Sequence, residues 1–275
     1  MPKTQQLINT HYGVSGILDS IQDALTAMGK NMDHLIPADL VLVDAFHLRG
    51  RESTLELADR AGIQPGLIVL DVGCGLGGSV RYLASELECN VTGIDLTEEY
   101  VNVATALSKL VGLENKVQFH HASALELPFE NETFDLIWTE HVQMNIEDKR
   151  LFYGEIFRVL KPGGRLLFHD IFLGGGGELH YPVPWASEPS FSFLWPLNKV
   201  RNTLEAIGFS ITDWEDKTRP SEEFLKKMKE AGPQPLGIHL LMGDTAPIKI
   251  QNVLRNLQEN RICVIQAVAE KARNG

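Results

Sequence analysis

A short apolar run that ends in a cluster of glycines constrains this chain more than any other feature. Leu67 to Leu70 has the composition of a strand that is buried on both faces, and four glycines follow it between Gly73 and Gly78. The residues from Ser79 onward have the pattern of a helix start. A strand, a glycine turn and a helix N-terminus form a site where free backbone N–H groups can approach a ligand closely.

The glycine spacing by itself leaves two interpretations open. Gly73-x-Gly75-x-x-Gly78 satisfies the dinucleotide fingerprint, and Asp95 follows Gly73 by 22 residues, near the spacing of a ribose-binding acid. A nicotinamide-dependent oxidoreductase is therefore one interpretation. Asp71 favours a different ligand, because a carboxylate two residues before the first glycine could orient the turn or meet a cationic group.

Strands and helices alternate from Leu67 onward, which predicts an α/β fold with a mostly parallel sheet and helices on both faces. The ligand should then lie over the carboxyl ends of the strands, where the strand order reverses. Seven strands are expected at residues 67–71, 90–95, 116–120, 134–139, 164–170, 210–216 and 261–269, with helices at 79–88, 98–111, 149–160 and 197–207.

Two kinds of addition surround this alternating region. Residues 1–65 are expected to be a helical N-terminal segment packed on the main domain, which spans 66–275, and insertions at about 174–195 and 217–260 should cover the strand ends. Ser53 and Glu56 have the spacing of a capping box. The expected helices are 15–28, 37–46 and 53–61 in the N-terminal segment, and 222–230 and 248–258 in the second insertion.

Several residues at the predicted strand ends are candidates for ligand binding. Asp95 could accept hydrogen bonds from both hydroxyls of a ribose, or it could instead cap the helix that follows. The other candidates are Leu96 beside it, Ser123, Ala124 and Leu125 after the third strand, and Glu140 and His141 after the fourth.

Four segments in order resemble the motifs of the S-adenosylmethionine-dependent methyltransferases of the Rossmann-like class. The segments are Asp71-Val72-Gly73-Cys74-Gly75-Leu76-Gly77-Gly78, the strand end at Asp95, His121-Ala122-Ser123-Ala124-Leu125-Glu126-Leu127-Pro128-Phe129, and Val159-Leu160-Lys161-Pro162-Gly163-Gly164. In the third segment Ser123 replaces the acidic residue of the family. A hydroxyl should bind the adenine amino group more weakly than a charged acceptor would.

A narrower resemblance concerns the sarcosine/dimethylglycine methyltransferases. It depends on the glycine segment together with His47-x-x-Gly50-Arg51 and the strand start Asn260-Arg261. The end of the fourth strand departs from that pattern, so the identity of the acceptor does not follow from this likeness.

The family resemblance implies a seven-stranded, Rossmann-like sheet whose last strand is antiparallel. It also implies S-adenosyl-L-methionine as cofactor, S-adenosyl-L-homocysteine as product, and a small-molecule acceptor, with an amine or phenol-type oxygen favoured and carbon as a further acceptor atom. The backbone from Gly73 to Gly78 is expected to bind the methionine carboxylate, and Asp71 its ammonium group. Asp95 would bind the ribose, and Ser123, Ala124 and Leu125 the adenine.

Two side chains are candidates for a role at the reacting methyl group. His141 could act as a general base if the acceptor arrives protonated, or it could serve only to position the acceptor. Tyr12 could close over the sulfonium, or it could be an ordinary packed tyrosine. Glu140, Gln143, Met144 and Asn145 are expected to line the same opening as His141.

Cys74, in the turn, and the aromatic insertion each allow two interpretations. Cys74 could be a nucleophile, but a small residue that fills a tight turn is the simpler role. The aromatic side chains between Tyr181 and Trp195 could hold an apolar or cationic acceptor, or form the core of the cap. His239 is another candidate pocket residue. No metal is expected, because adjacent strand residues such as His120 and His121 point to opposite faces.

The net charge and the cysteine content limit the classes of partner and the cellular compartment that the sequence predicts. Twenty-five basic against 36 acidic residues give a formal net charge of −11, which disfavours nucleic acid. The three cysteines form no Cys-x-x-Cys, and the absence of a signal peptide or long apolar run predicts a cytoplasmic protein that does not bind membranes. Homo-oligomerisation stays open. A cofactor-binding protein without transfer activity is a third interpretation, beside the methyltransferase and the oxidoreductase.

Overall fold

The computed structural model describes residues 8, 10–13, 16–231, 236–237 and 239–273. The strands are β1 (Ile68–Val72), β2 (Asn90–Asp95), β3 (Val117–His121), β4 (Phe134–Glu140), β5 (Leu160–Leu173), β6 (Phe209–Asp216) and β7 (Ile262–Lys271). The helices are α1 (Ile17–Ala27), α2 (Val41–Asp44), α3 (Arg51–Ala61), α4 (Gly78–Ser85), α5 (Glu98–Leu110), α6 (Lys149–Val159), α7 (Leu197–Ile207), α8 (Thr218–Ala231), α9 (His239–Met242) and α10 (Ala246–Gln258).

All seven strands form one sheet in the order β3-β2-β1-β4-β5-β7-β6. β1 to β5 pair in parallel, whereas β7 lies between β5 and β6 and is antiparallel to both. The predicted Rossmann-like sheet with its antiparallel last strand is therefore confirmed. The strand order reverses between β1 and β4, which places a crevice at their carboxyl ends.

The central strands are buried on both faces, as their apolar composition predicts. Val69 and Leu70 are both fully buried, yet they belong to different core clusters, because successive side chains point to opposite sides of the sheet. Val69 shares its cluster with Leu83 of α4, and Leu70 shares its cluster with Phe152 of α6. Helices thus cover both faces, and only the strand ends are left for a ligand.

The helix expected over 37–46 is helical only over 37–44, and its first part is a 3₁₀ helix. The segment forms a 3₁₀ turn, Pro37–Leu40, followed by the single turn of α2. It is held by tertiary contacts, because Asp44 forms an ion pair with Arg81 of α4, whose side chain is almost fully buried. A buried charged pair of this kind is not visible in the local periodicity.

The predicted capping box is wrong. α3 begins at Arg51, so Ser53 lies inside the helix, and its hydroxyl donates to the carbonyl oxygens of Leu48 and Gly50. The start of the expected helix 15–28 falls at Ser15, which is outside the described residues, and α1 begins at Ile17.

Lys161-Pro162-Gly163-Gly164 forms the expected break between α6 and the paired part of β5, because none of the four residues pairs with β4 or β7 and Gly163 has a φ of +77°. α6 passes directly into β5, which begins at Leu160 and includes these residues. The pairing of β5 with β4 shifts register between Phe134 and Leu136, and this irregularity absorbs the proline and the glycines.

The two insertions pack together over the sheet end. Trp185 and Phe191 of the first insertion share a buried cluster with Leu225 of α8 and Val253 of α10. The second insertion contains α8, α9 and α10. α8 and α10 are longer than the two helices expected there, and the short helix α9 was not expected. No helix within the described residues combines the length and the apolar character that a membrane span needs.

Candidate functional site

One cavity of about 720 Å³ lies over the carboxyl ends of β1, β2 and β4. Its floor contains the glycine turn and the strand-end residues, and its upper walls come from the N-terminal segment, the first insertion and α8 to α10. The lining includes eleven of the twelve predicted cofactor residues and both catalytic candidates: Tyr12, Asp71, Gly73, Cys74, Gly75, Asp95, Leu96, Ser123, Ala124, Leu125, Glu140 and His141.

Gly78 is the predicted residue that does not line this cavity. A Cβ at Gly78 would lie 2.1 Å from the backbone oxygen of Asp44, so its small size lets α2 pack against α4. Gly75 faces open space instead: a Cβ there would have no atom within 4 Å, and its φ of +53° favours glycine.

The glycine turn uses most of its first N–H groups internally. Gly73 and Cys74 both donate to the carbonyl oxygen of Ile94, and Gly75 donates to Oδ2 of Asp95 at 3.0 Å. The expectation that the whole run offers free N–H groups is wrong for these three. They are used because the turn must be fastened to the neighbouring strand β2.

Asp95 has two structural partners as well as its place in the cavity. Besides Gly75, it accepts a hydrogen bond from the N–H of Thr97 at 2.8 Å. Thr97 is the N-cap of α5. Asp95 therefore stabilises the start of this helix, which was the alternative role considered for it. Each carboxylate oxygen retains a further lone pair for a ligand hydroxyl.

Asp71 is buried in the floor, where negative charge accumulates. Desolvation, followed by the neighbouring Glu140 and Asp95, raises the pKa of Asp71 well above its ordinary value. A ligand cation would relieve this repulsion and favour the ionised carboxylate. Burial also raises the pKa of the Cys74 thiol, with Asp95 and Asp71 adding to it, so the structure favours the small-residue role of Cys74 over a nucleophile.

The segment after β3 is held in place by local hydrogen bonds. The N–H of Leu125 donates to the hydroxyl of Ser123 at 3.2 Å, and His121 Nε2 donates to the carbonyl oxygen of Leu96 at 2.9 Å. These bonds hold the segment that contains Ser123, Ala124 and Leu125, all three of which line the cavity.

Glu140 connects three parts of the molecule. Its Oε2 accepts hydrogen bonds from Ser79 at 2.6 Å and from Trp138 Nε1 at 2.8 Å, and both of its oxygens lie 3.1 Å from the hydroxyl of Thr54. His47 Nε2 is 3.5 Å away. These partners of Glu140 were not predicted from the sequence, because Thr54 and His47 lie far from Glu140 in the chain. The one signal was that these two polar residues lie close to each other in the sequence, around the start of α3.

His141 lies in a group of three histidines, of which His169 is fully buried and His47 and His141 are half-buried. The His141 ring stacks on that of His169 at 5.2 Å between centroids, and the ring of His47 is 5.9 Å from it. Desolvation, with the two neighbouring histidines, lowers the pKa of His141 well below its ordinary value. Its φ is +53°, a strained value for a residue with a side chain, and its buried Nε2 has no partner among the described residues. His141 is therefore neutral near pH 7 and can accept a hydrogen bond, but it is a weak base.

Tyr12 is tied to the fourth strand end through Asn145. Its hydroxyl donates to Oδ1 of Asn145 at 3.0 Å, and Nδ2 of Asn145 donates to the carbonyl oxygens of Trp185 and Phe191. Asn145 thus joins the N-terminal segment, the β4–α6 connection and the first insertion. The sequence placed Asn145 near the opening but gave no sign of this junction.

The remaining candidates divide between the cavity and the core. Met144 and Asn145 line the cavity as expected, but Gln143 does not: its side chain donates to the carbonyl oxygen of Ile171 inside the protein. Trp185 is buried in the core of the cap and also lines the cavity, so the core interpretation is confirmed for this residue and a contact with the acceptor stays a prediction. The side chain of His239 lies outside the described residues.

The donor set and the shape of the cavity floor fit S-adenosylmethionine. Asp71 can meet an ammonium group, Asp95 can meet two hydroxyls, and the open side of Gly75 lets a ligand reach the backbone. Within the described part of the chain, no group of three or more His, Cys, Asp or Glu side chains has the geometry of a metal site.

Comparisons with known proteins agree with this fit. Residues 70–168 match a family described as a methyltransferase domain. Phosphoethanolamine N-methyltransferase 3 of Arabidopsis thaliana is 31% identical over 188 residues, covering 66% of this chain and 36% of that protein. Erythromycin 3''-O-methyltransferase of Saccharopolyspora erythraea is 30% identical over 210 residues, covering 76% of this chain and 64% of that protein.

A solved structure agrees in fold across nearly the whole chain. Phosphoethanolamine N-methyltransferase 2 of Haemonchus contortus, in complex with S-adenosyl-L-methionine, has a TM-score of 0.75 at 21% identity and aligns with 99% of this chain and 61% of its own. The chain spans about a third of the length of the Arabidopsis relative.

The fold and the site define a Rossmann-like cofactor-binding protein. The chain belongs to the class I S-adenosylmethionine-dependent methyltransferases. The superfamily and the cofactor class expected from the sequence are thereby confirmed, and the nicotinamide interpretation is overturned.

Proposed function

We propose that this chain transfers a methyl group from S-adenosylmethionine to a small organic molecule, with an oxygen or nitrogen atom as acceptor. The observation that supports this is a single cavity in which the carboxylates of Asp71, Asp95 and Glu140 lie at one end, while an otherwise largely apolar compartment lies at the other. A donor and an acceptor can therefore meet in one enclosed space.

The residues of the floor are assigned by their chemistry. Asp71 would bind the ammonium group, Asp95 the ribose hydroxyls, and the segment from Ser123 to Leu125 the adenine. The carboxylate would be bound by N–H groups at the start of α4, near Ser79, since the N–H groups of Gly73, Cys74 and Gly75 are already used. Glu140 would hold Ser79 and the N-terminal segment in position.

The cofactor would supply an electrophilic methyl group, activated because it is bonded to a positively charged sulfur. The protein has to position the acceptor and exclude water. His141, neutral and without a partner for Nε2 among the described residues, would accept a hydrogen bond from the acceptor. Tyr12, held by Asn145, would close the cavity from the N-terminal side.

Two measurements test the proposal. Calorimetry should detect binding of S-adenosylhomocysteine and none of NAD, and mass spectrometry of the protein incubated with S-adenosylmethionine and pools of amines, phenols and enols should find products heavier by one methyl group. Binding without any methylated product would favour the cofactor-binding protein without transfer activity. No binding at all would exclude the proposal.

A general-base role for His141 is a separate part of the proposal. If His141 removes the proton, His141→Ala should change the pH dependence of the rate. If it only positions the acceptor, the rate should fall while the pH profile keeps its shape. The low pKa of His141 favours the second outcome.

A further inference from the structure

We infer that the acceptor is a neutral, predominantly apolar organic molecule, and not a phosphorylated amine such as the one in the names of several relatives. This inference depends on the proposed function, because it concerns the part of the same cavity that lies away from Asp71 and Asp95. Four observations about the walls of that part carry it.

The outer wall is an apolar surface supplied by two helices. Phe224 and Met228 lie one turn apart on α8, and both line the cavity. Ile250 and Val253 lie about one turn apart on α10, and both line it as well. Phe224, Met228 and Ile250 are only half-buried, so they still have apolar surface to offer to a ligand.

The inner wall is apolar as well, and it is rigid. Ile171, Trp185 and Met144 are all buried, and all three belong to the cluster that joins the first insertion to α8 and α10. A preformed apolar wall favours a ligand of matching character, because little ordering is needed on binding.

Positive charge is confined to the rim. Among the described lining residues the only lysine or arginine side chains are Arg150 and Lys199, and both are exposed. Lys199 Nζ lies 3.6 Å from the centre of the Trp195 ring. The adjacent acidic residues Glu147 and Asp148 also line the rim and offset this charge.

The nearby buried lysine does not supply a cation to the cavity. Lys149 is fully buried, and its Nζ donates to the carbonyl oxygens of Ile146 and Phe193. A phosphate in the deep part of the compartment would therefore lose its hydration without gaining a cationic partner, which strongly disfavours it. An uncharged apolar molecule loses little hydration and gains contact with both walls.

The test uses the full chain saturated with S-adenosylhomocysteine and the uncharged apolar dye N-phenyl-1-naphthylamine. The dye should bind saturably with an increase in fluorescence, and millimolar phosphoethanolamine should neither displace it nor give calorimetric binding of its own. Absence of saturable dye binding, or displacement of the dye by phosphoethanolamine, would overturn the inference.

A pair of substitutions on one helix assigns the dye to this compartment. Ile250→Glu places a charge in the wall and should weaken dye binding roughly tenfold or more. Ile248→Glu, at an exposed position of α10 outside the lining, should leave dye binding unchanged. Equal effects of the two substitutions would contradict the assignment.

Retained affinity for S-adenosylhomocysteine serves as the folding check for each variant. If Ile250→Glu does not fold, Met228→Glu on α8 provides the same test. Failure of the inference can be told apart from failure of the proposed function: a chain that binds S-adenosylhomocysteine but not the dye contradicts only the apolar acceptor. A chain that binds neither compound contradicts both.

Discussion

The two ends of the cavity are built in different ways. The cofactor end consists of strand-end residues between Asp71 and His141, all within one continuous stretch of alternating strands and helices. The acceptor end is assembled from segments far apart in the chain, from Tyr12 to Val253. The first end is polar, with hydrogen bonds that fix its geometry, and the second is mainly apolar with a charged rim. The difference indicates that cofactor recognition and acceptor selection can vary independently.

The largest effect is expected at the cofactor end, from Asp95→Ala. The change removes the proposed acceptor for two ribose hydroxyls and also the partner of the Gly75 and Thr97 N–H groups. We expect the Kd for S-adenosylhomocysteine to rise about 100-fold by calorimetry, since each hydrogen bond to a charged group contributes about 1.5–3 kcal/mol. Glu126→Ala, an exposed acid near the adenine segment, is the control and should change nothing. An unchanged affinity for Asp95→Ala would remove the ribose assignment.

Asp71→Asn should have the next largest effect on the same measurement. The amide retains the size of the side chain but loses the charge that would meet the ammonium group. A loss of affinity of about 10- to 100-fold is expected for a buried charge-assisted contact. Binding of the neutral dye at the acceptor end should not change, and a parallel loss of dye binding would show that the two ends are not independent.

The pH dependence of binding should also distinguish the two ends. The pKa of Asp71 is raised in the ligand-free cavity, and a bound ammonium group would favour the ionised form, so binding has to release the proton. Above that raised pKa the affinity for S-adenosylhomocysteine should be constant. Below it, affinity should fall as the pH falls, by up to about tenfold per pH unit.

Two comparisons give this pH experiment its control. Asp71→Asn should flatten the dependence, because the group that takes up the proton is gone. Dye binding at the acceptor end should show no such slope in the protein without substitutions. A slope that persists unchanged in Asp71→Asn would assign the titration to another group.

The smallest effects on cofactor affinity are expected at the junction around Asn145. Asn145→Ala leaves the buried carbonyl oxygens of Trp185 and Phe191 and the Tyr12 hydroxyl without this partner, and should lower the free energy of unfolding by about 2–3 kcal/mol. Tyr12→Phe removes one of these bonds and should cost about 1 kcal/mol. Urea denaturation measures both changes.

Affinity for S-adenosylhomocysteine should stay within about twofold in these two variants if the ends are independent. Asn198→Ala, at an exposed position of α7, is the matched control and should change stability by less than about 0.5 kcal/mol. A large loss of cofactor affinity in Asn145→Ala would mean that the junction also shapes the cofactor end.

Much of the cofactor end could be predicted from the sequence, because parallel strands bring their carboxyl ends to one edge. Asp95 and Glu140 end β2 and β4, and Asp71 is the last residue but one of β1, so their convergence follows from the alternation alone. The internal hydrogen bonds of the turn could not be predicted, since a glycine run has the same sequence whether its N–H groups face a ligand or the next strand. Gly78 shows the same limit, because its neighbour Asp44 lies 34 residues earlier in the chain.

The acceptor end was less predictable, for a related reason. Trp185 could be recognised as an aromatic residue of an insertion, but whether it lines the cavity or fills the core depends on how α8 and α10 pack around it. The role of Asn145 depends on three partners from two other segments. Local periodicity carries no information on such contacts.

The order of the strands and helices along the chain, the glycine turn and the acidic residues at the strand ends follow from local pattern and from the geometry of a parallel sheet, so the amino-acid sequence alone is enough to predict them. Three properties need the folded molecule: which N–H groups remain for a ligand, the joining of separate segments by Glu140 and Asn145, and the apolar character of the far end of the cavity. Those properties arise where residues distant in the chain meet, and there burial and hydrogen bonding are set by the partners that folding brings together.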